Sequence, residues 1–150
     1  MLLAYRLPRE PSTPRITAWR KMKRLGVAKL LDGLVALPLD ARNREQLEWV
    51  AQDILDAGGT ATVWIGRPAL ASDQRSLEEQ MRDAVAQEYR ALVETVRSAK
   101  NERVQPQSRT VARLRREFHR ISQRDHFRPP ERDQAARAVD ALATSVEVGV

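Results

Sequence analysis

The chain has no cysteine, and aromatic residues make up only 5% of its 150 positions. Without a thiol there is no disulfide, no thiolate metal ligand, no cysteine nucleophile and no thiol-based redox chemistry. Only two histidines occur, His119 and His126, and neither stands in an HExxH-like spacing, so no metal site is expected. No apolar run approaches membrane-spanning length, and the stretch Met1–Pro8 is too short and too soon polar for a secretory core, which predicts a cytoplasmic protein without membrane contact. A glycine-rich phosphate loop, a Ser-His-Asp set and carboxylates paired at a recognisable spacing are all missing, as are repeats and low-complexity segments. No catalytic residue and no cofactor are therefore expected.

What the chain has in quantity is positive charge. Lys and Arg number 26 against 20 Asp and Glu, giving a net charge of +6 and a pI near 10.4. Such a balance fits a polyanionic partner, nucleic acid or small oxyanions, the alternative being a generally arginine-rich proteome. With 42% hydrophobic and 31% charged residues the sequence is that of a folded, soluble protein, and its length allows one domain or a minimal domain with an appendage.

Hydrophobic periodicity divides the chain near residue 68. Residues 2–7 read as a strand ended by Pro8. A helix follows from about 14 to 25, with Ser12 or Thr13 to cap it, Pro14 in its first turn and Gly26 to stop it. Two apolar runs around Asp32-Gly33 predict a β-hairpin. Asp40 or Asn43 begins a second helix carrying Leu47, Val50, Ala51, Ile54 and Leu55, ended by Gly58-Gly59, and Thr60–Ile65 supplies a fourth strand. The order βαββαβ over residues 1–68 predicts an α+β, ferredoxin-like domain. Residues 69–150 then read as an all-helical extension of about three helices: a seam of about 25 residues from Ser72 or Asp73, an arginine-rich helix after a polar loop at 101–108, and a last helix from Pro130 or Glu131. This extension is expected to pack on the domain, on itself or on a second subunit.

The stretch Pro14-Arg15-Ile16-Thr17-Ala18-Trp19-Arg20-Lys21-Met22-Lys23-Arg24-Leu25-Gly26, with Leu31-Asp32-Gly33-Leu34-Val35-Ala36-Leu37-Pro38 behind it, resembles the amino-terminal domain of ChrB-type chromate-resistance regulators. Gly58-Gly59, Leu114-Arg115-Arg116 and Asp125-His126-Phe127 extend the resemblance along nearly the whole chain. The resemblance implies a chromate-sensitive transcriptional regulator acting beside a chromate efflux pump. Full-length members carry a further carboxy-terminal domain that is not seen here, which implies a stand-alone version or a function shared with another chain. A weaker likeness exists to the central domain of PaaX-type repressors of the phenylacetate pathway.

Two groups of residues are candidate sites. On the first helix, Arg20, Lys21 and Arg24 form a polar face flanked by Arg15 and Lys23, able to neutralise DNA phosphates; the alternative is a solvated basic face. Trp19 lies on the apolar arc of that helix with Ile16, Ala18, Met22 and Leu25, and is expected in the core more than stacked on a base. On the later helix, Arg113, Arg116, Arg120 and Arg124, with His119 and His126 nearby, are candidates for a tetrahedral oxyanion such as chromate, because planar guanidinium groups bind such ions in bidentate fashion; ordinary surface ion pairs are the alternative. Spacer-acquisition nucleases of CRISPR systems share the βαββαβ order and place an acidic metal ligand at the end of strand one. Here that position reads Leu7-Pro8-Arg9, which argues against metal-assisted cleavage. The expected function is thus a DNA-associated regulator with chromate as candidate signal, and the alternative is a non-catalytic dimeric module that docks a separate partner. An open sheet with a free edge favours a homodimer in either case.

Overall fold

The computed structural model describes residues 1–101 and 108–148. The elements run β1 (Leu2–Arg6), α1 (Thr13–Leu25), β2 (Ala28–Leu31), β3 (Leu34–Ala36), α2 (Ala41–Asp56), β4 (Thr60–Trp64), α3 (Ala71–Asn101), α4 (Ser108–Gln123) and α5 (Glu131–Val148). The chain is thus mixed α+β, with a four-stranded antiparallel sheet and a helical carboxy-terminal part. It divides into two compact units, Met1–Met81 and Arg82–Val150, the division falling inside α3. That helix is 31 residues long, longer than its apolar seam predicts. The polar loop expected around Pro106 lies largely outside the described residues.

In the first unit the strands lie in the order β2-β3-β1-β4. Leu3 is opposite Val35 on one side and Val63 on the other, so strict alternation puts Leu3, Tyr5, Val35, Ala61 and Val63 on one face of the sheet. Ala18 and Met22 of α1 and Leu47, Val50 and Ile54 of α2 close over that face as a single buried cluster. Leu2, Ala4, Leu34 and Trp64 take the opposite face by the same alternation. Between Lys29 and Leu31 the pairing of β2 with β3 shifts register, a bulge that the hairpin pattern does not foretell.

Local chemistry sets the joints. Gly26 ends α1 in a left-handed conformation at φ 73°, where a side chain would be strained, and its N–H donates to Lys23 O. Asp40 caps α2 by accepting from Asn43 N at 2.7 Å, and the buried Asn43 amide in turn donates to Pro38 O at 3.1 Å. Ser12 occupies the corresponding position before α1, but its hydroxyl makes no capping bond there. Gly33 has φ 80°, and a β-carbon on it would stand 2.4 Å from the Tyr5 carbonyl oxygen. The glycine therefore allows both the turn and the approach of β1, whose Tyr5 N donates to Gly33 O at 2.8 Å.

The second unit packs Val85, Tyr89, Leu92 and Val96 of α3 against Val111, Leu114 and Ile121 of α4 and Ala135, Val139 and Leu142 of α5. One carboxylate organises its α4–α5 turn. Asp125, with a side chain only 1% exposed, accepts from the Tyr89 hydroxyl at 3.0 Å, from Arg132 Nη1 at 3.3 Å, and from the backbone N–H groups of Phe127 and Arg128 at 3.2 and 2.8 Å. Burial pushes the Tyr89 phenol above its ordinary pKa, which keeps its proton in place for this bond.

Asp125→Ala removes the acceptor of all four donors and leaves Arg132 without its carboxylate; a loss of about 3–5 kcal/mol is expected, read from urea unfolding of the helical circular dichroism. Tyr89→Phe removes one neutral donor and is expected to cost only about 1 kcal/mol. On the surface of the same unit, Arg90 donates to Glu131 Oε1 at 2.7 and 3.2 Å and holds the Glu131 carboxyl below its ordinary pKa. A depressed carboxylate pKa contributes stability above the unfolded-state value, 4.5, that is lost as pH falls through the folded value. Glu131→Gln is accordingly expected to shrink the fall in urea midpoint between pH 7 and pH 3.

Candidate functional site

Helix α1 holds five cations and no acidic residue, and the structure sends those cations in three directions. Lys21 lies on the side nearest α2 and forms an ion pair with Asp53. Arg15 and Lys23 lie on the side of Trp19: the Lys23 ammonium sits 6.0 Å from the indole centroid, and Arg15 Nη1 donates to Arg9 O at 3.3 Å. Arg20 and Arg24, one turn apart and opposite the buried Ala18 and Met22, point outward and have no acidic partner among the described residues. Of the three residues expected on the polar face, Lys21 is spent on Asp53, and Arg20 and Arg24 combine outward direction with no acidic partner among the described residues.

Trp19 is half-buried and packs against the core cluster, as the apolar arc predicts, whereas Ile16 of the same arc remains 48% exposed. A second ammonium, Lys29 of β2, lies 5.8 Å from the Trp19 ring. Lys29 is opposite Val35, hence on the helix-facing side of the sheet, and near the start of that edge strand its stem reaches the indole. Asp32 pairs with it at 2.6 Å, holding the Lys29 ammonium above its ordinary pKa and its own carboxyl below. Around this group opens a cleft of about 580 Å³ bounded by the end of β1, the start of α1 and the β2–β3 turn. Its walls add Tyr5, Arg6 and Arg9, and burial is the main cause of the raised pKa of the Tyr5 phenol.

Of the charged and phenolic residues that line the cleft, sequence reasoning reached Arg15 as a phosphate contact but not Tyr5, Arg6, Arg9 or Lys29. The signal was faint: a lysine at a strand position whose alternation faces the helices. Arg6 and Arg9 carried none, because only the pairing of β1 beside the hairpin brings them near Lys29.

The residues predicted for an oxyanion are arranged along and beyond α4. Arg113, Arg116 and Arg120 share a stripe with Arg109, within an arc of about 60°, opposite the buried Val111, Leu114 and Ile121. Arg124 continues the stripe but is held in a fork by Glu88, its Nε donating at 3.0 Å, and Arg120 pairs with Glu117 at 2.9 Å. The Glu88 bond keeps the Arg124 guanidinium above its ordinary pKa. His119 lies off the stripe, its Nε2 at 3.0 Å from Gln123 Nε2, and His126 is half-buried in the turn after the helix. The structure thus joins Arg113, Arg116 and Arg120 in one row and leaves the two histidines apart from it. Among the described residues no three His, Asp or Glu side chains gather as a metal-binding group. Nor is any described helix long and apolar enough to cross a membrane.

Taken together, the fold and the surface define a small α+β domain that presents a cation-rich helix and continues into a helical part with an arginine row. A family model described as "Protein ChrB, N-terminal" matches residues 15–106, from the first turn of α1 past the end of α3. The chain belongs to that family, which links it to chromate-resistance systems. No curated protein and no solved structure matches the chain.

The environments of the three tryptophans give a direct check. Trp49 and Trp64 are 64% and 58% exposed, against a half-buried Trp19. A variant keeping only Trp19 (Trp49→Phe, Trp64→Phe) is expected to emit at shorter wavelength, and to be less quenched by acrylamide, than one keeping only Trp64.

Proposed function

We propose that the chain is a non-catalytic, DNA-associated regulator of a chromate-inducible operon, acting in the cytoplasm as a homodimer with chromate as its signal. The observation that carries this reading is the outward pair Arg20 and Arg24 on a helix with five cations and no acid. A cation in that setting is available to a phosphate without first giving up an ion pair. The row Arg109, Arg113 and Arg116 on α4 offers a second set of phosphate contacts, since successive members rise about 4.5–6 Å along the helix. Family membership supplies the chromate context. Support for the ferredoxin-like reading comes from the chain order βαββαβ together with the spatial order β2-β3-β1-β4. Leu7-Pro8-Arg9 at the end of β1, where a nuclease of that topology would need a carboxylate, favours a non-catalytic role.

A second reading, a dimeric docking module without DNA, draws on the outer face of the sheet. Leu2, Leu34 and Trp64 lie there, with Leu31 66% and Trp64 58% exposed, an apolar surface suited to protein contact.

Binding to operator and unrelated duplexes across a salt series separates the two. A steep log–log slope with preference for the operator is expected, and Arg20→Gln with Arg24→Gln should reduce its magnitude by about 1.8, at about 0.9 per phosphate contact. An unchanged slope in that variant moves the contacts to α4. Absence of binding to both duplexes at low salt, with a dimer in sedimentation velocity, selects the docking module.

A further inference from the structure

We propose that the cleft beside Trp19 binds a nucleotide-sized anion, one that joins a planar ring to a phosphate. Neither Arg20 nor Arg24 lines the cleft, so its occupancy is independent of duplex binding at that pair.

Three observations meet here. First, charge: Arg6, Arg9, Arg15 and Lys29 line the cleft against a single carboxylate, Asp32, which is already bonded to Lys29. Four cations around one shared opening repel one another, and an anion placed among them relieves that repulsion while gaining charge-assisted hydrogen bonds. Second, shape: about 580 Å³ is far more than a lone tetrahedral oxyanion fills, but falls within the range of about 300–1,000 Å³ usual for small organic ligands. Third, chemistry of the walls: Tyr5, Ile16 and Trp19 add aromatic and apolar surface to the cationic lining, so a ligand with both a ring and a phosphate satisfies both. Inorganic chromate or sulfate satisfies only the charged part. The Arg15 guanidinium donates to the Arg9 carbonyl, an arrangement that brings the amino-terminal end of α1 and the loop after β1 to one wall.

The phosphorylated nucleoside has two sources, a free mononucleotide or one residue of a single strand. The test uses the full chain with Trp49→Phe and Trp64→Phe, so that Trp19 alone reports, excited at its red edge. The probes are dAMP, deoxyadenosine, inorganic phosphate and the trinucleotide of dA. Saturable quenching by dAMP at least tenfold tighter than by deoxyadenosine or phosphate alone is the expected result. Arg9→Gln with Arg15→Gln, both exposed and outside the core cluster, should weaken dAMP at least tenfold, with an unchanged circular dichroism spectrum showing that the fold is kept. A trinucleotide that binds tighter than dAMP supports the site and assigns it to a strand; equal or weaker binding supports it as a site for a free nucleotide. No saturable response to dAMP, binding no tighter than phosphate, or equal affinity in the double arginine variant would overturn the proposal. Each of these outcomes stands whether or not duplex DNA binds, so failure of the cleft and failure of the regulator reading are told apart.

Discussion

Strand β1 is the constraint on which the first unit depends. Its backbone pairs with β3 along one edge and β4 along the other, and Leu3 at its centre is fully buried under α1 and α2. A one-residue slip would turn Leu3 and Tyr5 to the outer face and bring Leu2 and Ala4 inward. The same register determines the surface chemistry, because Tyr5, on the face of Leu3, reaches the cleft only when Leu3 is seated. Gly33 secures that end from the neighbouring turn, where any β-carbon would collide with the Tyr5 carbonyl.

The distribution of positive charge follows from this packing. With α1 laid across the sheet by Ala18, Met22 and Trp19, its remaining positions are assigned by helical angle. Lys21 meets Asp53 on α2, Lys23 and Arg15 join Lys29 around the indole side, and Arg20 and Arg24 are left facing water. A helix that reads as a basic face of three with two flanking cations is thereby divided into a structural contact, a pair on the indole side and a free pair. On α4 a similar sorting occurs: Arg124 and Arg120 find Glu88 and Glu117, while Arg109, Arg113 and Arg116 stay exposed.

The helical unit is organised differently, around a buried charge. Asp125 meets one hydroxyl, one guanidinium and two backbone donors, so its carboxylate is fully engaged where water is excluded. A charge in that position costs heavily unless every partner is in place, which fixes the α4–α5 turn relative to Tyr89 of α3. The Asp125-His126-Phe127 turn, which carries part of the family resemblance, thus has a structural reason of its own.

Much of this was legible in the residues. Periodicity of two and of 3.6 gave the elements in order, the Asp-Gly pair the hairpin, Gly26 the end of α1, Asp40 or Asn43 the start of α2, and the five cations of α1 a basic helix, since each is a local property of backbone sterics or side-chain spacing. The bulge in β2 and the full length of α3 were not legible, because the first depends on cross-strand fit and the second on a polar extension without an apolar repeat. Which cations are free was also beyond the sequence, because Asp53 and Glu88 lie 32 and 36 residues from the side chains they neutralise. The cleft is the extreme case: Arg9, Arg15 and Lys29 belong to three segments, and only strand pairing and the seating of α1 bring them to one place. Sequence by itself determined the elements, the excess of positive charge and the family; tertiary structure decided which charges are spent on one another and which still face a ligand, because Coulomb partners are set by distance in space and not along the chain.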